Sequence, residues 1–135
     1  MKIFCGPKGT GKTKAIIDFA NAAKETAKGH VVYITDSDKY GFEIKMPIRF
    51  LNTSDFGVSS EDEFRGFIKG IVASNGDNEY VFIDGVARIC GKKPGEIDSI
   101  FKTMGDLENK FGVKFVMTCS GLKEELPDFV LKYVD

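Results

Sequence analysis

Two patterns of apolar residues alternate along this chain. Four short runs, Lys2 to Cys5, Val31 to Ile34, Tyr80 to Ile83 and Val113 to Thr118, are apolar at almost every successive position. A strand covered on both faces reads this way, as strands of parallel sheets do. Ile48 to Leu51 is a weaker run of the same kind. The longer segments between them repeat at helical spacing instead. Residues 12 to 27 place Ala15, Ile16, Phe19, Ala20 and Ala23 on one stripe, with Gly29 as the expected stop. Ser60 predicts an N-cap, followed by Glu61, Asp62 and Glu63 against the positive end of the helix and by a stripe of Phe64, Phe67, Ile68, Ile71 and Val72. Pro94 predicts the opening of a third helix with Ile97, Ile100, Phe101, Met104, Leu107 and Phe111 inward, and a short last helix near Pro127 uses Phe129, Val130 and Tyr133. The expected fold is therefore α/β, a three-layer sandwich around a mostly parallel sheet of four to five strands. The least regular stretch, Asp36 to Phe56, is long for a connection in a compact domain, and such loops are often functional.

Composition narrows the setting. At 135 residues, 42% hydrophobic and 29% charged, the chain is expected to form one domain over residues 1–135 with its own core, needing no disulfide or metal staple. Lys and Arg total 19 against 20 for Asp and Glu, so no global field draws in nucleic acid or an anionic membrane. No apolar run reaches the ~20 residues that span a bilayer, and the opening Met1-Lys2-Ile3-Phe4-Cys5 turns polar too soon for a signal peptide; a cytoplasmic protein without membrane insertion is expected. Cys5, Cys90 and Cys119 lack ligand or disulfide spacing and read as small apolar residues. His30 is the only histidine and stands where a strand should begin, so chemistry built on a histidine base has little to draw on.

The chemistry lies near the amino terminus. Gly6-Pro7-Lys8-Gly9-Thr10-Gly11-Lys12-Thr13 matches GxxxxGK[ST] at every fixed position. Glycines let the backbone bend around a phosphate with its N–H groups inward, and a helix starting at the same place adds unsatisfied donors and a positive dipole end. Lys12 can reach the β- and γ-phosphates, Lys14 follows it, and the Thr13 hydroxyl is a hard oxygen ligand suited to Mg2+. The four fixed residue types coincide by chance in roughly 1 in 200 chains of this length, and the required context of preceding strand and following helix lowers those odds further. A second metal-holding group should sit at the carboxyl end of a neighbouring strand, and Asp84, closing Tyr80-Val81-Phe82-Ile83, fits.

These segments resemble the P-loop nucleoside triphosphatases and, within them, the RecA-like ATPases, over about residues 1 to 121. Val31-Val32-Tyr33-Ile34-Thr35-Asp36-Ser37-Asp38 is similar to the family's second strand with its acidic end, Ile83-Asp84-Gly85-Val86-Ala87-Arg88-Ile89 to its Walker B segment, and Phe115-Val116-Met117-Thr118-Cys119-Ser120 to the strand whose polar end senses the γ-phosphate. The resemblance implies ATP and Mg2+ as ligands. It also implies that the Thr118 strand lies between the phosphate-loop strand and the Asp84 strand, with Thr118 or Ser120 facing the γ-phosphate. The glutamate that many relatives carry after the Walker B aspartate is here Gly85, so the water-orienting carboxylate falls to Asp36 or Asp38. An arginine supplied by a neighbouring subunit is usual in the family; Arg49, Arg65 and Arg88 are the candidates, and 14 residues follow Gly121, which suggests a minimal core that completes its site in a homo-oligomer or larger ATPase assembly.

Three functions compete. The first is a Mg2+-dependent ATPase with weak intrinsic hydrolysis. The second is a nucleotide-sensing module that does not hydrolyse, or a motor subunit of the pilus or secretion type, favoured by Gly85. The third is a small-molecule kinase, disfavoured because the only three arginines are scattered rather than gathered in a lid. No guanine-reading Asn/Thr-Lys-x-Asp segment is present, which points to adenine, and nothing indicates nucleic acid as a partner.

Overall fold

A computed structural model describes residues 1–135. Five strands, β1 (Lys2–Gly6), β2 (His30–Thr35), β3 (Arg49–Asn52), β4 (Asn78–Ile83) and β5 (Lys114–Ser120), form one sheet in the order β1-β5-β4-β2-β3. Every neighbouring pair is parallel. The weak run before Leu51 is thus the edge strand β3, and β5 lies between β1 and β4 as the resemblance implied.

Alternation along the strands sorts the core into two layers. Val31, Tyr33, Phe82 and Val116 face α1 (Lys12–Thr26) and meet its Ile16, Ile17, Ala20 and Ala23. Val32, Ile34, Val81, Ile83, Phe115 and Met117 face the other way, onto α2 (Glu61–Ser74), α3 (Val86–Cys90) and α4 (Asp98–Phe111). Helices therefore cover both faces of the sheet, which is why the strand sequences are apolar without a break. The outer edge of β1 is closed by the end of the chain: Val134 bridges Ile3, and the Asp135 N–H donates to the Ile3 carbonyl at 2.9 Å. No helix is long and apolar enough to cross a membrane.

Ser60 caps α2 as expected. Its Oγ accepts from the Glu63 N–H at 3.2 Å, and the Glu63 carboxylate accepts in return from the Ser59 N–H at 3.1 Å. Ser60→Ala is expected to cost roughly 1 kcal/mol, seen as a lower urea midpoint at unchanged slope.

Four local expectations need correction. Helix α1 ends at Thr26, and Gly29 serves a close approach instead: a Cβ there would overlap the Asp77 carbonyl, to which His30 N–H donates at 2.7 Å. Pro94 opens only a 3-10 turn, Pro94–Glu96, closed by Glu96 accepting from the Lys93 N–H at 2.9 Å; α4 starts at Asp98. Phe111 is exposed, because the buried stripe of α4 stops short of the final turn before Gly112. The last helix is a 3-10 segment, Asp128–Tyr133, of which Val130 is buried while Phe129 is exposed. Cys90 and Cys119 are buried as small core residues, and desolvation pushes both thiols up to about 12, which keeps them protonated and inert.

Candidate functional site

The carboxyl ends of β1, β5, β4 and β2 open onto a cleft of about 640 Å³. Its floor is the loop between β1 and α1. Gly9 and Gly11 there hold φ angles of 85° and 83°, a left-handed backbone that residues with a Cβ avoid. Gly11 is also the N-cap of α1 and places no side chain on the first turn, which carries no acidic residue either. The N-terminal donors of a 15-residue helix are left for an anion. Lys12 arches back over the loop, Nζ donating to the Pro7 carbonyl at 2.8 Å, and Thr10 Oγ1 donates to the same oxygen at 2.7 Å.

Asp84, at the end of β4, joins three elements. One carboxylate oxygen accepts from Thr13 Oγ1 on α1 at 3.0 Å, the other from Thr118 Oγ1 on β5 at 2.6 Å. Thr118 in turn accepts from the Gly85 N–H at 2.8 Å. With both hydroxyl functions committed and only 2% of the residue exposed, Thr118 acts on the cleft by aiming Asp84. A hydroxyl and a carboxylate oxygen side by side under the 6–13 loop form a hard donor pair that fits Mg2+, an ion that takes few protein ligands and completes its shell with water and phosphate.

A model of the ATPase family associated with various cellular activities (AAA) matches residues 2–132. The chain belongs to this AAA family. As an AAA protein it is a P-loop nucleoside triphosphatase, of a family that binds and hydrolyses ATP and often works in assemblies of subunits. The match is to AAA and not to the RecA-like group in particular. No curated protein matches the chain.

The cleft of this AAA domain gathers most of the residues singled out in the sequence. Lys8, Gly9, Gly11, Lys12, Thr13 and Lys14 line it from the loop side, and Asp36, Asp84, Thr118 and Ser120 from the strand ends. Gly6, Pro7 and Thr10 face a smaller hollow of about 360 Å³ on the far side of the loop. Asp38 is turned away, accepting from Asn52 Nδ2 at the end of β3 at 3.1 Å.

Asp36 is held in a forked ion pair. Arg88 on α3 donates from Nε to Asp36 Oδ2 at 2.8 Å and from Nη2 to Oδ1 at 3.0 Å. Burial would raise the Asp36 carboxyl, but the hydrogen bonds and charge of Arg88 outweigh it and hold the group below the usual carboxylate value. In the sequence Arg88 is simply one of three arginines. Its partner lies 52 positions away, and no local signal joins the two.

A second cavity, about 660 Å³, lies between the β2–β3 edge and α2. It is lined by His30, Arg49, Phe56 and Phe67 among others, without a glycine loop or a carboxylate.

Proposed function

We propose that the chain is a Mg2+-dependent ATPase with slow intrinsic turnover, using a RecA-like arrangement in which a carboxylate at the end of the second strand orients the attacking water. The observation that supports it most is the hydrogen-bonded line Thr13–Asp84–Thr118 beneath the 6–13 loop, within one cleft. In this reading the loop N–H groups and Lys12 hold the β- and γ-phosphates, and Thr13 and Asp84 hold Mg2+. The ion would supply charge neutralisation for the phosphates. Asp36 receives a proton from water as the water oxygen bonds to the γ-phosphorus; the bond from that phosphorus to the β–γ bridging oxygen breaks, leaving ADP and inorganic phosphate. Adenine, the oligomeric state and the cytoplasm belong to the same proposal.

One observation favours the sensing alternative. Both Asp36 oxygens accept from Arg88, and the hydrogen bonds and charge of that arginine make the carboxylate a poorer proton acceptor while the pair stands. Phosphate release decides between the two. Asp36→Asn is expected to lower the rate by roughly a hundredfold, the contribution of a positioned general base. Equal low rates in wild type and variant would remove Asp36 from the chemistry and leave a nucleotide-sensing module. Consumption of ATP only with an added acceptor would identify a kinase.

A further inference from the structure

Asp84 is followed by Gly85, at φ 87°, and then by the five residues of α3. The space beside Gly85 is taken. A Cβ built there would overlap the guanidinium of Arg88, which folds back from α3 over the glycine. In that position Arg88 makes the two bonds to Asp36 and a third from Nη2 to the main-chain carbonyl of Asp84 at 3.3 Å. It therefore lies beside the carboxylate that accepts from Thr13, and it lines the cleft together with Lys12. The glycine gives the arginine a seat at the phosphate end of the cleft.

The pair is open to water on the arginine side. Arg88 is 53% exposed and Asp36 29%, so water screens part of their attraction and an incoming anion can reach the guanidinium. A guanidinium is always charged, and its fork matches phosphate oxygens as well as carboxylate oxygens. A terminal phosphate carries more charge than Asp36 and offers three oxygens. Nη1 makes no bond in the structure and is free to begin the exchange.

We propose that Arg88 is a γ-phosphate ligand supplied from within the chain, and that Asp36 is the counter-ion it leaves when a nucleoside triphosphate binds. The proposal rests on the ATP-binding reading of the 6–13 loop. A diphosphate does not reach the pair and leaves it closed. A triphosphate draws the guanidinium across, and the carboxylate freed by the exchange sits beside the phosphate it would act on. Asp36 is thus withheld from water until the γ-phosphate is in place, and Arg88 acts as the group that distinguishes ATP from ADP.

The test is calorimetric titration with ADP and with the non-hydrolysable triphosphate adenylyl imidodiphosphate, both with Mg2+, on wild type, Arg88→Gln, Arg88→Lys and Asp36→Asn. One lost charge-assisted contact is expected to weaken the triphosphate analogue about tenfold in Arg88→Gln, with ADP affinity unchanged and serving as the check on folding. Arg88→Lys keeps the charge without the fork and is expected to fall between. Asp36→Asn removes the competitor and is expected to bind the analogue more tightly than wild type, again without effect on ADP. Opposite shifts in the two partners of one ion pair are not the mark of a merely structural contact. Equal weakening of both nucleotides in Arg88→Gln, or no change in either, overturns the proposal. Wild type binding neither nucleotide overturns the ATP reading beneath it.

Discussion

Lys12→Ala is expected to weaken ATP binding by roughly a hundredfold or more while leaving the protein folded. The side chain contributes little to the fold, since its ammonium meets only the Pro7 carbonyl and, at 3.5 Å, Thr10 Oγ1. Substitutions at such sites stay within about 0.5 kcal/mol of wild-type stability. The loss on the ligand side is large. Two charge-assisted contacts, one to each of the outer phosphates, are worth about 1.5–3 kcal/mol apiece, so affinity should fall by roughly a hundredfold or more. Titration of the variant with ATP and Mg2+, beside a thermal melt, separates the two effects. Undiminished affinity would mean that the 6–13 loop is a glycine-rich turn and nothing more.

The second large effect is expected at Asp84. Asparagine has the same shape, so in Asp84→Asn its Oδ1 can still accept from Thr118, while the Thr13 hydroxyl turns to accept from the new amide. The fold should therefore survive, although Asp84 is 6% exposed and surrounded by α3 and β5. What disappears is the negative charge offered to the cation. Metal-assisted stabilisation of a phosphoryl transition state is worth several kcal/mol, so phosphate release should drop by about a hundredfold or more, and the response to added Mg2+ should flatten. ATP affinity measured with a chelator present should stay at the wild-type value. A variant that retains the wild-type Mg2+ dependence would show that Asp84 does no more than tie Thr13 to Thr118.

Much of this site is legible in the sequence, and the physical reason differs from element to element. The four strong strands announced themselves because both their faces are covered by helices, and the phosphate loop because its glycines, lysine and threonine must stand at fixed spacing between a strand and a helix. Strand β3 was faint: it is four residues long at a sheet edge, with Arg49 exposed and only Asn52 buried. Helix α3 went unseen because five residues are too few to display a period, and Val86, Ala87, Ile89 and Cys90 are all buried. In the resemblance, Gly85 read as a missing glutamate. The folded chain gives the same residue a positive reason, a φ of 87° that residues with a Cβ avoid, and the Arg88 guanidinium occupies the space that a side chain would take. Likewise Asp36 and Asp38 were equivalent in the sequence, and the structure separates them by their partners, Arg88 on the cleft side and Asn52 on the edge side. Contacts that join residues 34 to 71 positions apart, as at Thr118–Asp84 and Thr13–Asp84, arise only when the strands are ordered.

A crystal structure grown with Mg2+ and a non-hydrolysable ATP analogue tests most directly whether this cleft is where nucleotide is held. The expected result is a triphosphate wrapped by the 6–13 loop, with Lys12 on its outer phosphates, the ion between Thr13 and the Asp84 side, and Arg88 moved from Asp36 to the γ-phosphate. An analogue seated elsewhere, for instance between α2 and the β2–β3 edge, or crystals soaked at saturating concentration that hold none, would contradict it.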